Sequence, residues 1–266
     1  MFHPVPIEKS AAFSQRSAVA HLVSRSRIAA FTLVELLVVM AIIAVLATIG
    51  LPALKGFRKG DAITAAQRQL LDDLAFARLK AISGRTTVYM VFVPPGIISQ
   101  LPALTDPRDR KQLTNLISGQ YTAYALFSYR SVGSQPGQPN PRYLTDWKRL
   151  PDGMLFPTNK FDQTPFVMNS PNEYLRSFTN GIFPFPGAKT PVGYLLPYVA
   201  FNSQGQLVSG PHRDEVIPLA QGSVFYTTSQ PDVVMKPPNN YTNSYVRINW
   251  LTGRASVDEF TKPRIQ

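Results

Sequence analysis

The 266-residue chain contains no cysteine, only three histidines and few charged residues, which make up 16% of the sequence. The absence of cysteine excludes disulfide bonds and thiolate metal sites. His3, His21 and His212 are far apart in sequence, so neither a histidine metal cluster nor a Ser-His-Asp arrangement is indicated. Phosphate-binding and dinucleotide-binding glycine motifs are also missing. We therefore expect a protein that is not an enzyme and needs no metal or cofactor.

Acidic residues are scarce relative to basic ones, with 16 Asp and Glu against 27 Lys and Arg and a formal net charge of +11. Such an excess is compatible with binding to nucleic acid or anionic lipid. However, the sequence has no dense run of Lys and Arg. A solvated surface with scattered charges is therefore the favoured interpretation.

One long apolar segment stands out against this background, at residues 31–50 (FTLVELLVVMAIIAVLATIG), and Glu35 is its only charged residue. A carboxylate in lipid costs roughly 2.5–3.5 kcal/mol on insertion scales, so we expect it to have a specific use. Cleavage between Ala30 and Phe31 would create an α-amino group, mostly protonated at neutral pH. That amine is a natural partner for Glu35, because positions i and i+4 lie on one helix face.

The residues from Ala30 to Leu37 (AFTLVELL) resemble the cleavage and N-methylation signal of type IV prepilins and type II secretion pseudopilins. In that family a prepilin peptidase cuts before the Phe and methylates its amine, and the Glu is needed for assembly. The residue before the cut is usually Gly, and here it is Ala30. The resemblance implies a leader peptide over residues 1–30, cleavage between Ala30 and Phe31, N-methylation of Phe31 and an assembly role for Glu35.

The same resemblance implies a single-pass protein of the bacterial inner membrane, with a transmembrane helix over residues 31–54, a cytoplasmic leader and a periplasmic head. The implied partners are prepilin peptidase, other pseudopilins or pilins and the inner-membrane assembly platform, with secreted substrates or DNA as further candidates. Two alternatives remain open, a signal-anchor helix with an incidental Glu and a signal peptide cut near Ala47. Twenty apolar residues suit a bilayer-spanning helix better than a signal-peptide core of about 7–15 residues.

After the apolar segment, Pro52 predicts a helix kink, because proline removes a backbone donor and clashes with the preceding turn. Helical periodicity resumes at Asp61 and predicts an amphipathic helix over residues 55–84 that ends at Gly84. We expect its apolar stripe to pack against a sheet: Ile63, Ala66, Leu70, Leu74, Ala77 and Ala81. The predicted charged back of the helix is Arg68, Asp72, Asp73, Arg78 and Lys80.

Beyond Gly84 the pattern changes to β. The segments 86–93 and 121–130 are rich in β-branched and aromatic residues, and a turn signal at 151–153 precedes a further strand at 154–156. The last third predicts hairpins that pair 198–202 with 206–208, 215–219 with 223–227, and 245–250 with 254–257. The predicted fold class is α+β, with a long N-terminal helical spine, half transmembrane and half amphipathic, packed on an antiparallel β-sheet head over residues 85–266.

These blocks are similar in order and type to the H-type (GspH/FimT) pseudopilins and minor pilins. Two Pro- and Gly-rich stretches, 94–120 and 157–197, depart from the family and are predicted to be insertions that enlarge the head. Within the first, a mixed-charge loop is expected at residues 106–110. Aromatic residues of the second are predicted to anchor it, with a partner surface as the alternative: Phe161, Phe166, Phe178, Phe183 and Phe185.

Two functions follow from the resemblance. The first is a minor pseudopilin or pilin-like subunit of a type II secretion pseudopilus or a type IV pilus-like filament. The second is a FimT-like minor pilin that binds DNA for uptake through a Gly-Arg-x-Arg pattern, of which Gly253 and Arg254 are present while Ser256 replaces the second Arg. Lys262 and Arg264 are candidates to compensate, and an ordinary hairpin turn with a basic tail is the alternative. A third class is a membrane-tethered binding module unrelated to filaments.

Overall fold

The structure is a computed structural model that describes residues 32–130, 138–162, 177–210, 212–226, 231–235 and 244–259, without the side chains of 49–61 and 259. Within these ranges the helices are α1 (Leu33–Gly84) and α2 (Pro107–Ile117), with two 3-10 helices at Ile97–Ala103 and Thr158–Lys160. The strands are β1 (Val88–Phe92), β2 (Ala123–Ser128), β3 (Arg142–Tyr143), β4 (Lys148–Arg149), β5 (Met154–Leu155), β6 (Thr179–Pro184), β7 (Gly193–Phe201), β8 (Glu215–Pro218), β9 (Ala220–Phe225), β10 (Asp232–Met235), β11 (Ser244–Ile248) and β12 (Ala255–Glu259). The chain divides into two compact units, Met1–Leu51 and Pro52–Gln266.

The second unit holds all of these strands, which form three antiparallel sheets. The main sheet has the order β3-β2-β1-β7-β6, with β4 also paired to β2. The two smaller sheets have the orders β10-β9-β5 and β12-β11-β8. An N-terminal helix followed by antiparallel sheets confirms the predicted α+β class.

One face of the main sheet packs against α1 and forms what we call the inner core. The predicted apolar stripe of the helix supplies it: Ala66, Leu70, Leu74, Ala77 and Ala81 are fully buried, and Ile63 is partly buried. Met90 of β1 lies opposite Leu126 of β2 and Val199 of β7, and these three side chains meet the stripe from the sheet. The 3.6-residue period of the helix and the two-residue alternation of the strands therefore place their apolar side chains in the same core.

The opposite face of the main sheet carries the outer core, which is covered by α2 and the 3-10 helix Ile97–Ala103. Leu113 and Leu116 of α2 are buried against Val91, Ala125 and Phe127 of the central strands. Phe183 and Phe185 of the second Pro- and Gly-rich stretch lie in the same cluster. Both stretches thus build the outer core together.

The prediction of a mixed-charge loop at residues 106–110 is wrong, because α2 begins there. The Asp106 carboxylate accepts a hydrogen bond of 2.7 Å from the Arg108 N–H, and Pro107 occupies the first helical position. An Asp N-cap followed by Pro is a helix-start signal. Leu113 and Leu116, three residues apart, supply the buried face of this short helix.

The second stretch, residues 157–197, also contains regular structure, since it provides β6 and the first residues of β7. Phe178, Phe183 and Phe185 are buried, which confirms the predicted anchoring role for these three. Phe161 is partly buried against the inner core and against a small cluster of Tyr121, Leu155 and Ala220, and Phe166 lies outside the described residues. That either stretch is an insertion relative to a family stays a prediction.

Aromatic side chains cover the outer edge of β6. Three carbonyl oxygens spaced two residues apart each accept a hydrogen bond from an aromatic donor: Ile182 from the Tyr129 hydroxyl, Pro184 from the Tyr143 hydroxyl at 2.8 Å, and Pro186 from the Trp147 indole N–H at 3.2 Å. Since Tyr143 belongs to β3, the two edge strands of the main sheet are linked. Burial raises the pKa of Tyr143, so its hydroxyl stays protonated and able to donate.

Two of the three predicted hairpins are confirmed. Strand β11 pairs with β12, and Phe201 bridges Leu207 across the tight turn after β7. The pairing of 215–219 with 223–227 is wrong, because β8 pairs with β11 whereas β9 pairs with β5 and β10. Gly222 lies inside β9, where an added Cβ would come within 2.3 Å of the Val234 carbonyl oxygen.

Candidate functional site

The first described residues form the start of α1. The Thr32 hydroxyl oxygen accepts a hydrogen bond of 3.2 Å from the Glu35 N–H, and the Thr32 carbonyl accepts one of 3.2 Å from the Leu36 N–H. Thr32 is therefore the N-cap of the helix, and Thr-x-x-Glu is the sequence of a capping box. The helix begins two residues after the predicted cleavage position.

Glu35 lies in the first helical turn, where a carboxylate meets the positive end of the helix dipole. Its apolar neighbours are solvent-exposed on all sides of the helix: Leu33 is 80% exposed, Val34 69% and Leu37 61%. An apolar surface of this kind marks a region that an apolar phase or a partner covers.

Ala30 and Phe31 lie outside the described residues, so cleavage, methylation and the ion pair between the Phe31 amine and Glu35 stay predictions. Pro52 lies within the residues assigned to α1, and the predicted kink there also stays a prediction. In the described part of the chain, no helix combines the length and the hydropathy of a membrane-crossing segment.

The Gly253-Arg254 pair predicted for DNA binding lies at the turn between β11 and β12. Gly253 has a φ of 63°, and a Cβ there would come within 1.9 Å of the Gly205 carbonyl oxygen. The Arg78 Nε donates to the carbonyl oxygens of Thr252 at 2.8 Å and Gly205 at 3.2 Å. Glycine is thus required where two turns meet below one guanidinium, which gives Gly253 a structural explanation.

Arg254 follows this turn as an exposed side chain that has no acidic partner among the described residues. Lys262 and Arg264 lie outside the described residues, so the structure does not bring the three predicted DNA-binding cations together. Across the described ranges, no group of three potential metal-ligating side chains occurs.

The predicted charged back of α1 is wrong for Asp73, which is buried. Its carboxylate accepts a hydrogen bond of 2.7 Å from the Tyr124 hydroxyl and pairs with the Lys148 ammonium at 2.5 Å. Burial and the bond to Asp73 raise the pKa of Tyr124. This network attaches α1 to β2 and β4, and sequence spacing could not reveal it because its members are 51 and 75 residues from Asp73.

Comparisons with known proteins bear on the N-terminal segment. Residues 25–51 match the family model described as the prokaryotic N-terminal methylation motif. No curated protein and no solved structure gave a significant match to the chain. This motif supports a type IV prepilin-like protein. Pilin-like subunits are structural and in general non-enzymatic.

Proposed function

We propose that the chain is a minor pseudopilin or pilin-like structural subunit of the H type (GspH/FimT). Prepilin peptidase cuts it between Ala30 and Phe31, methylates the Phe31 amine and releases it for assembly into a type II secretion pseudopilus or a type IV pilus-like filament. The observation that carries this proposal is the methylation motif at residues 25–51. The Thr32 cap supports it, because it starts the helix next to the proposed cut.

The proposed mechanism uses the exposed apolar part of α1. A helix that is apolar on all sides can be stored in the inner membrane and then packed between neighbouring subunits without exposing its side chains to water. Glu35 pairs with a Phe31 amine, and this pairing sets the axial position of each subunit, because sliding would leave an unpaired charge in an apolar environment. The head remains in the periplasm and carries the specificity.

The sharpest test replaces Glu35 by Gln, which removes the charge and keeps the size. Because the chain has no cysteine, a single introduced cysteine at Val39 reports neighbouring helices by disulfide cross-linking in the native host. We expect Glu35→Gln to reduce cross-linked oligomers at least about tenfold, since it removes one member of a charge pair. Thr48→Ala, a second polar position on the same helix, is the matched control and should cross-link as the unmodified chain does. Normal oligomers with Glu35→Gln would reject the assembly role.

DNA binding by the head is a second candidate, favoured by the exposed side chain of Arg254. In this proposal Arg254 acts together with Lys262 and Arg264. Electrophoretic mobility shift at low salt should show retarded DNA, weakened by added salt and by substitution of the three cations with Gln. Arg142→Gln, an exposed cation on β3, is the control. Absence of a shift at low salt would remove this candidate.

A further inference from the structure

A groove of about 200 Å³ opens in the head between the end of α2, the turn before β5 and strand β9. We call it the Arg149 groove. It is defined by the residues whose side-chain or backbone groups can bond to a ligand: Ser118, Thr122, Arg149, Gly153, Val224 and Tyr226. These residues come from separate segments of the chain, so no sequence motif predicts the groove. It has no role in processing or assembly as proposed above.

Arg149 is the only full positive charge in the lining, and its guanidinium is fixed in place. One terminal nitrogen, Nη2, donates to the Asn115 carbonyl at 2.8 Å and to the Ser118 hydroxyl at 2.7 Å. Nε and Nη1 have no hydrogen-bond partner within the described ranges. The side chain is thus held in one orientation, and each of its two remaining donors can make a charge-assisted hydrogen bond to a carboxylate oxygen.

Hydroxyl groups extend this polar wall. The Tyr226 hydroxyl donates to the Ser118 carbonyl at 2.7 Å, and Thr122 also lines the groove. Burial raises the pKa of Tyr226, and the nearby Arg149 charge opposes that shift only in part. Tyr226 is therefore neutral at physiological pH and does not offset the charge of Arg149.

Strand β9 also lines the groove, and it pairs with β5 through Ala220 and Gln221 only, which leaves the rest of that side of β9 without a neighbouring strand in the described part of the chain. The Gly222 N–H donates to the Gly153 carbonyl at 2.9 Å, so Gly222 faces β5. Alternation along a strand places the N–H and C=O of Val224 on the same side. Strand β5 begins at Met154, directly after the Pro151–Met154 turn, and among the residues described it pairs only with Gln221 and Ala220 of β9, so it stops short of Val224.

We propose that the Arg149 groove binds an extended acidic peptide segment of a partner protein, which adds as a strand to the free edge of β9 and places a carboxylate against Arg149. Unpaired strand edges are templates for such addition, with main-chain bonds providing affinity and a pocket providing specificity. The volume of the groove is sufficient for one side chain of the bound segment and the backbone next to it. The carboxylate of Asp152, exposed on the turn at the rim, disfavours a second acidic residue beside it.

Three fluorescein-labelled nonapeptides test the proposal against the full chain in mild detergent, with binding followed by fluorescence anisotropy. The first alternates Thr and Val and has a central Glu. The second has Gln in place of Glu, and the third keeps Glu but carries Pro at a neighbouring position, which blocks strand pairing. We expect the first peptide to bind at least about tenfold more tightly than either of the others, because charge-assisted hydrogen bonds exceed neutral ones in strength.

Two variants locate the binding. Arg149→Gln should reduce affinity for the Glu peptide to that of the Gln peptide, whereas Arg142→Gln should leave it unchanged. Val224→Pro should weaken all three peptides, since it removes the edge N–H while sparing the bonds of β9 to β10. If Val224→Pro fails to fold by circular dichroism, the Pro-containing peptide supplies the same information.

Several outcomes would overturn the proposal. Equal binding of the Glu and Gln peptides would exclude carboxylate recognition. Equal binding of the Pro-containing peptide, or full displacement of the Glu peptide by an equal concentration of inorganic phosphate, would indicate a simple anion site without strand addition. Preferential binding of a labelled DNA oligonucleotide in an Arg149-dependent manner would assign the groove to nucleic acid instead.

Discussion

The inner and outer cores cover the two faces of the same sheet, yet they are built from different kinds of sequence. One helix supplies the largest single contribution to the inner core besides the sheet, with Ala66, Leu70, Leu74, Ala77 and Ala81 repeating at three- and four-residue spacings. The outer cover combines α2, the 3-10 helix Ile97–Ala103 and Phe185 from the loop after β6, and the loop residue lies far from the two helices in the chain. Core residues that lie on one long periodic helix can therefore be predicted from the sequence. Core residues that come from several short segments cannot.

The largest effect should come from removing one buried ring from each core. Phe92 and Phe127 are both fully buried, the first stacked on Phe178 at 4.3 Å and the second edge-on to Tyr143 at 5.1 Å. We expect Phe92→Ala and Phe127→Ala each to cost about 3–5 kcal/mol of the free energy of unfolding. Urea unfolding followed by the fluorescence of the two tryptophans measures both.

Phe225, which is 55% exposed, provides the control, since Phe225→Ala should change stability by less than about 0.5 kcal/mol. If Phe127→Ala alone lowered the free energy of unfolding by less than about 1 kcal/mol, the outer core would not stabilise the fold as the inner core does.

A buried ion pair connects the second Pro- and Gly-rich stretch to β8. The Lys160 ammonium lies 2.7 Å from the Glu215 carboxylate and 4.5 Å from the centre of the Phe178 ring, and its side chain is fully buried. Glu215→Ala leaves this charge without its carboxylate and should cost about 3 kcal/mol. The same urea experiment on the double variant Lys160→Met, Glu215→Leu should recover most of that loss. Equal instability of the single and double variants would assign the effect to packing.

The aromatic donors along β6 should contribute less. Tyr143→Phe removes the hydroxyl that bonds to the Pro184 carbonyl and should cost about 1 kcal/mol, with faster hydrogen exchange of the β6 amides. Tyr198→Phe is the matched control, because no hydrogen bond of the Tyr198 hydroxyl occurs among the described residues. Unchanged exchange in Tyr143→Phe would mean that the outer face closes through apolar packing alone.

The smallest effect concerns alkaline pH. Burial, and next the Asp162 carboxylate, raise the pKa of Tyr121 to about 12 from its ordinary value of 10. Because the folded state holds this proton more tightly, its contribution to stability is complete below pH 10 and is lost as the pH rises toward 12. Tyr121→Phe should flatten the fall in stability over that interval, as measured by urea unfolding at stepped pH. An unaltered pH profile would contradict the assignment.

Sequence reasoning predicted α1, its buried stripe, β1, β2 and the β11–β12 hairpin, because each is a local periodic pattern with its own stop signal. The Asp106-Pro107 start of α2 is present in the sequence, but the mixed charges that follow it favour a solvated loop when the segment is judged alone. Sequence reasoning placed Asp73 on the solvent side, because its partners Tyr124 and Lys148 are distant in the chain. Contacts between residues far apart in the chain and short secondary-structure elements are therefore the features that the sequence alone does not predict.

The two candidate functional regions, the N-terminal motif and the Arg149 groove, differ in the same respect. The N-terminal motif is a contiguous set of residues, so the sequence predicted it and the methylation-motif match agrees. The Arg149 groove is formed by segments that meet only after folding, and nothing in their local sequence distinguishes them.

Intact-mass analysis of the protein purified from its native host tests the central claim most directly. The account predicts a mature chain that begins at Phe31 and carries one added methyl group on its terminal amine. A mass that retains residues before Phe31, or one that lacks the whole segment 31–50, would contradict it.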